Sequence, residues 1–235
     1  MMETAYKRIL LKISGEALAG DAKSGIDFDT VERVCASVKK CVDLGVQIAI
    51  VVGGGNFWRG REGDEMDRTS ADYMGMLATV INALALSDAL DRQGVDNRVM
   101  TALVIDKIGE PYNVKTAKRY LSEGKVVVFG GGTGSPFFTT DTGASLKACE
   151  IQAEVLLLAK NIDGIYDSDP KTNPNAKKFD TLTYDEYVEK GLRALDTSAV
   201  VMCKENGLKI HAFGNLDENS IVNAVFAESD GTVVY

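Results

Sequence analysis

The chain has 235 residues, 45% of them hydrophobic, with four prolines and a net charge of −8. That length holds one large domain or two small ones around a sizeable core, and the composition excludes a disordered chain. The basic residues are scattered rather than gathered into a stripe, which argues against a nucleic-acid or anionic-membrane surface and leaves room for a small anion held in a local pocket.

The opening stretch METAYKRILLKISG carries a short apolar run cut by Lys12, with no cleavage-like segment after it. It reads as a strand and not a signal peptide, and no run along the chain is expected to span a bilayer. Cys35, Cys41, Cys149 and Cys203 show no C-x-x-C spacing, as expected for reduced thiols of a cytoplasmic protein. His211, the only histidine, closes a short apolar strand and reads as a structural imidazole, against a Ser-His-Asp triad or a His-rich metal site.

Residues 8–14 form the first expected strand, ending at Gly15-Glu16. A lysine inside such a strand is costly to bury alone, so Lys12 must lie near the open end or face an anion. After a polar loop at 20–25, Asp29 or Thr30 is expected to cap a helix through Leu44, with Val31, Val34, Cys35, Val38, Cys41 and Val42 at helical spacing. Residues 46–52 read as a second buried strand running directly into Gly53-Gly54-Gly55, with Arg59 four residues on. A long helix is expected over 67–93, its apolar face carried by Leu77, Val80, Ile81, Leu84 and Leu90, with Met74 and Met76 as core or subunit-interface residues. A strand at 97–104 and a helix at 113–121 follow.

The apolar, β-branched run 126–129 then enters Gly130, Gly131, Gly132 and Gly134, and Thr139, Thr140 and Asp141 open a helix to Cys149. Strand, glycine turn and helix start together suit an anion. Beyond it come a strand at 154–159, a polar loop from Lys160 to Pro170, a hairpin at 177–182, and helices at 183–190 and 198–206. A strand at 208–211, a helix at 217–227 and a strand at 231–234 complete the pattern. Near-continuous apolar strands separated by helices predict an α/β fold: a three-layer α/β/α sandwich with a largely parallel central sheet, read as a single domain over 1–235. Ligands of such sheets bind beyond the carboxyl ends of the strands, where all the glycine turns fall.

Neither common nucleotide signature occurs: there is no G-x-x-x-x-G-K-[ST], and GGGNFWRG and GGGTGSP both fail G-x-G-x-x-G. Lys12, Arg59, the glycine turns and nearby aspartates fit phosphoryl transfer, which asks for cations, backbone N–H groups and Mg²⁺ around the moving group.

The segments KISGEAL (12–18), GGGNFWRG (53–60), DYMGMLATVINALAL (72–86), GGTGSPFFTTD (131–141) and DGIYDSDP (163–170) together resemble the bacterial uridylate kinases, a branch of the amino-acid kinase family. The likeness covers essentially the whole chain. It implies transfer of a phosphoryl group from ATP to UMP in pyrimidine nucleotide biosynthesis. By matching positions it implies that Lys12, Ile13, Ser14, Gly15, Gly55 and Arg59 surround the ATP phosphates, and that Asn161, Tyr166 and Asp169 line the adenine and ribose side, with Lys160 as the alternative to Asn161 at adenine. Gly54, Asp72 and the run Thr133, Gly134, Ser135, Pro136, Phe137, Phe138, Thr139 and Thr140 would hold UMP, Asp72 at the ribose. Lys12, Arg59, Asp141 and Asp196 would be catalytic; for Asp196 the alternative, an N-cap for the helix starting at Ser198, is nearly as good. The resemblance further implies Mg²⁺ carried by ATP without dedicated protein ligands, a homohexamer, and GTP or UTP as effectors near 20–25 and Arg98, where Ser87 and Asp91 replace basic or imidazole groups of other members. Two other readings stay open: an amino-acid-type kinase making an acyl phosphate, and a non-catalytic nucleotide- or oxyanion-binding protein on the same fold.

Overall fold

A computed structural model describes residues 4–22, 24–58, 66–214, 219–227 and 231–235. A short, largely apolar run builds β1 (Arg8–Ile13), and similar runs build β2 (Gln47–Val52), β5 (Val126–Gly130), β6 (Val155–Lys160) and β10 (Lys209–Gly214). With β3 (Asn97–Thr101), β4 (Glu110–Pro111), β9 (Thr181–Leu182) and β11 (Thr232–Val234) they form a nine-stranded sheet in the order β4-β3-β5-β2-β1-β6-β10-β11-β9. Its ladders are parallel except for β10 against β11, so the predicted largely parallel sheet is the one observed.

The pleat sorts side chains into two cores. Ile9, Leu11 and Ile13 pack with residues of α2 (Phe28–Asp43), α3 (Arg68–Arg92) and α8 (Ser220–Val225). Leu10 faces the other way, toward α4 (Val114–Ser122), α5 (Thr140–Glu150), α6 (Tyr184–Glu189) and α7 (Thr197–Asn206). Each fully buried Leu or Ile contributes about 1.5–3 kcal/mol. A one-residue slip of β1 would turn Lys12 into the first core, so the register that places Lys12 is strongly specified.

Several expectations need correction. Helix α2 is capped by Asp27, whose carboxylate accepts from the Thr30 amide, not by Asp29 or Thr30. The first strand stops at Ile13 because Ser14 caps a short helix, α1 (Gly15–Leu18), which the sequence reading did not anticipate. Residues 177–182 are not a local hairpin: β8 (Lys178–Phe179) pairs with β7 (Ile165–Tyr166), and β9 pairs with β11. The expected helix at 217–227 is observed over Ser220–Val225, and Asp217 lies outside the described residues. His211 sits inside β10, 2% exposed, where burial lowers its pKa.

Helix α3 begins after the Asp67 cap and ends at Arg92, as read, but it presents a different face to the core. Its buried side is Ala71, Met76, Ala78, Thr79, Val80, Asn82, Ala83, Leu86, Ala89 and Leu90, while Tyr73, Met74, Leu77, Ile81 and Leu84 are exposed. By length and composition α3 is also long and apolar enough to cross a membrane, contrary to expectation; half of that stretch is buried in the fold, against α2, β3 and β5 among others.

Candidate active site

The carboxyl ends of β1 and β2 lie side by side, and the Gly53 amide donates to the Ile13 carbonyl at 2.9 Å. The backbones that follow are in near contact. A Cβ on Gly15 would lie 2.5 Å from Asn56 Oδ1, 2.6 Å from the Gly53 carbonyl oxygen and 2.8 Å from the Gly55 nitrogen. One on Gly54 would lie 2.7 Å from the Gly75 carbonyl oxygen of α3. These glycines serve close approach, not an unusual φ. A buried amide pair fixes the turn: Asn82 donates to the Gly53 carbonyl at 2.7 Å and exchanges hydrogen bonds with Asn56, which also donates to the Gly25 carbonyl at 2.7 Å.

Lys12, on the α5 side of the sheet, places its ammonium 2.9 Å from Asp141 Oδ1. Asp141 is in the first turn of α5, where the helix dipole favours a carboxylate, and its amide donates to the Thr139 hydroxyl at 3.2 Å. The same hydroxyl donates to Asp196, which stands at the N-terminus of α7 without capping it. Asp196 is therefore tied to the Thr139 corner instead of to its own helix. Lys160, at the end of β6, donates to the Ala194 carbonyl; burial lowers its pKa, the Asp141 carboxylate opposes that shift and the Lys12 charge adds to it. Two ammonium groups and one carboxylate thus share this strand edge.

The glycine turn after β5 has positive φ at Gly131, Gly132 and Gly134. Thr79 accepts from the Gly131 amide at 2.8 Å, and Lys147 donates to the Gly132 carbonyl at 3.0 Å. Lys147 is 2% exposed, with its ammonium 4.6 Å and 5.6 Å from the Tyr112 and Phe129 ring centroids, and burial lowers its pKa. Lys147→Met would leave the Gly132 carbonyl without this donor. We expect it to lower the unfolding free energy by about 1–3 kcal/mol in urea titrations. Farther along the loop, Phe137 adopts φ 71°, a left-handed conformation that costs a side-chain-bearing residue about 1–2 kcal/mol. Its amide donates to Asp72 Oδ2 at 2.8 Å.

Two cavities open here. One of about 680 Å³ is lined by Lys12, Ser14, Lys160, Asn161, Tyr166 and Asp169 among others. The second, about 420 Å³, is lined by Gly54, Gly55, Asp72, Thr133, Phe138, Thr139 and Thr140, with Arg68 and Trp58. Glu16 lines both. The sequence-predicted residues thus fall into two neighbouring groups, with Gly55 in the second and not beside Lys12. Ile13 is buried in the core, and Gly15 is wedged between the two turns. Gly134, Ser135, Pro136 and Phe137 line neither cavity, and Asp141 and Asp196 stand behind them, bonded to Lys12 and Thr139. Arg59 lies outside the described residues. Among the described residues no group of three His, Cys, Asp or Glu side chains converges as a metal cage.

Sequence reasoning missed Asn56, Asn82, Lys147 and Arg68. An asparagine inside an otherwise apolar helix and a lysine amid small apolar residues were the available signals, each more often a surface residue. Adjacent parallel strands that end in glycine turns beside a part-buried lysine, with paired cavities at their carboxyl ends, suit phosphoryl transfer without a P-loop. The chain matches the amino acid kinase family over residues 7–214. It is similar to a UMP kinase from Bacillus anthracis, with 36% identity, TM-score 0.92, and coverage of 97% of this chain and 96% of that one. A UMP kinase from Ureaplasma parvum shows 37% identity and TM-score 0.92, covering 97% and 98%. A uridylate kinase from Archaeoglobus fulgidus shows 27% identity and TM-score 0.74, covering 97% and 99%. The chain belongs to the amino acid kinase family.

Proposed function

We propose that this chain is a UMP kinase, transferring the γ-phosphoryl group of ATP to the phosphate of UMP to give UDP and ADP in pyrimidine nucleotide biosynthesis. The observation that carries this reading is the pair of adjoining cavities at the ends of β1, β2, β5 and β6, one containing Lys12, the other walled by Thr133, Phe138, Thr139 and Thr140. The near-full-length likeness to UMP kinases supports the choice of acceptor. ATP occupies the larger cavity, with Lys12, Ser14 and Gly15 at its phosphates and Asn161, Tyr166 and Asp169 toward its nucleoside. UMP occupies the smaller one, with Gly54, Asp72, Thr133 and Phe138 to Thr140 around it, and residues 134–137 carry the loop between them.

The acceptor phosphate is already anionic, so no general base is required. What the protein supplies is position and charge. Asp141 holds the Lys12 ammonium at the strand edge before substrate arrives, so little reorganisation accompanies transfer. Asp196 fixes the Thr139 hydroxyl, and through it the entrance to α5. From the resemblance, Arg59 adds a second cation. Mg²⁺ prefers oxygen ligands and commonly bridges substrate phosphates; with the Asp141 carboxylate bonded to Lys12, the reading has the ion carried on the phosphates of ATP. When bound, it neutralises charge on the phosphate chain.

The exposed stripe Tyr73, Met74, Leu77, Ile81 and Leu84 on α3 supports burial against other copies of the chain, and we assign a homohexamer from the family resemblance; light scattering measures it. A single cytoplasmic domain completes the reading. For effectors, the regions concerned are 20–25 and Arg98, which pairs with Asp96 at 2.7 Å. Ser87 and Asp91 are both bonded to Asn97.

Chromatography of a mixture of protein, ATP, Mg²⁺ and UMP tests the activity. UDP and ADP should form in equal amounts. Binding of UMP without ADP at any Mg²⁺ concentration would replace the kinase with a nucleotide-binding protein.

A further inference from the structure

We propose that Arg68 is a positioning residue: with Asp72 and Phe137 it forms a clasp from α3 to the loop after β5 that sets affinity for a nucleoside monophosphate without acting on the phosphoryl group. This rests on the reading of the smaller cavity as the acceptor site.

Arg68 is the first residue of α3, where a cation opposes the helix dipole, so helix energetics do not explain it. Its Nε donates to both Asp72 oxygens at 2.9 Å. The guanidinium lies 5.6 Å from the Phe137 ring centroid, and the Phe137 amide bonds the same carboxylate. An ordinary i, i+4 pair on a helix surface is solvated on both sides and contributes little. Here Arg68 is 42% exposed but the Asp72 side chain only 12%, and that carboxylate also joins a residue 65 positions away in sequence.

The left-handed backbone of Phe137 also needs an outside tie, because phenylalanine rarely adopts φ 71° unaided. Asp72 grips the amide, and the Arg68 guanidinium stands over one side of the ring. The adjoining Phe138 lines the cavity together with Arg68 and Asp72, so the clasp sets the position of one cavity wall. Without Arg68, the carboxylate and the ring lose their common partner, and the loop must be ordered when the acceptor binds. That cost falls on binding and not on the chemical step.

The test uses the full chain and its Arg68→Met and Arg68→Lys variants. In the absence of substrate, hydrogen exchange at the Phe137 amide should accelerate about tenfold or more in Arg68→Met, reporting the clasp independently of what the cavity takes. In steady-state assays, Arg68→Met should raise KM for UMP about threefold to tenfold, with kcat and KM for ATP within about twofold of wild type. Arg68→Lys, which keeps the charge but not the planar stack, should fall between them.

An Arg68→Met enzyme with wild-type KM for UMP overturns the proposal, whatever the exchange rate. So does a kcat loss that matches or exceeds the KM effect, since Arg68 would then act on the reacting groups. A wild-type protein inactive toward UMP removes the acceptor reading and this proposal together; a wild-type protein active on UMP with an indifferent Arg68→Met removes the clasp alone.

Discussion

Lys12→Ala should lower kcat for UMP phosphorylation by about 10² or more, with a much smaller change in KM for either nucleotide. The argument starts from burial. Lys12 is the penultimate residue of a central strand, its side chain only 13% exposed, and its ammonium is held 2.9 Å from Asp141. A fixed charge in such a partly dehydrated site acts more strongly on a developing charge than one in water. The fold should survive the change, because Asp141 lies in the first turn of α5 and keeps the favourable helix dipole. Circular dichroism would establish that, and steady-state kinetics would give the split between kcat and KM. An alanine variant with unchanged kcat would take Lys12 out of the transfer step. The resemblance predicts a similar loss for Arg59→Ala.

Gly15→Ala should be nearly as damaging for a different reason. The added Cβ meets three atoms at 2.5–2.8 Å, two of them backbone atoms of Gly53 and Gly55, which cannot swing aside as a side chain does. Overpacking of this kind costs about 1–3 kcal/mol. The strain would separate the turns that follow β1 and β2, and a displacement of about 1 Å at a reacting centre can cost about 10² in rate. Gly75→Ala gives the contrast in stability: its Cβ finds only Trp58 Cδ1, at 3.9 Å, within the interior of α3, although the residue lines the smaller cavity. That change should raise stability by up to about 1 kcal/mol. Thermal melts on both variants and UMP kinetics on Gly15→Ala test this, and a Gly15→Ala enzyme with normal stability and rate would mean the turns have slack that the packing does not show.

The centre of the sheet was legible because β2 and β5 are short, almost wholly apolar runs that end at glycine turns. The two site groups were legible chiefly through the family segments; spacing along the chain does not show that Asp72 and Phe137 meet. Helix α3 shows where the pattern failed. Its ends were readable from Asp67 and Arg92, yet both faces carry apolar residues. The bulkier stripe at Leu77, Ile81 and Leu84 invited burial, whereas the sheet requires the small residues Ala71, Ala78 and Ala83 for close packing.

Polar residues escaped for a related reason. Asn82 and Lys147 are buried because the glycine turns leave backbone carbonyls that need donors, a demand visible only after folding. The false hairpin at 177–182 came from reading pairing locally, when both of its strands pair with distant segments.

The central claim is that the phosphoryl acceptor is UMP. A coupled ADP-release assay, with UMP, CMP, dUMP and N-acetylglutamate supplied separately at saturating ATP and Mg²⁺, tests it most directly. The two-cavity site with its 133–140 loop predicts turnover with UMP and none with the carboxylate. Turnover confined to N-acetylglutamate would contradict it and make the chain a kinase that forms acyl phosphates.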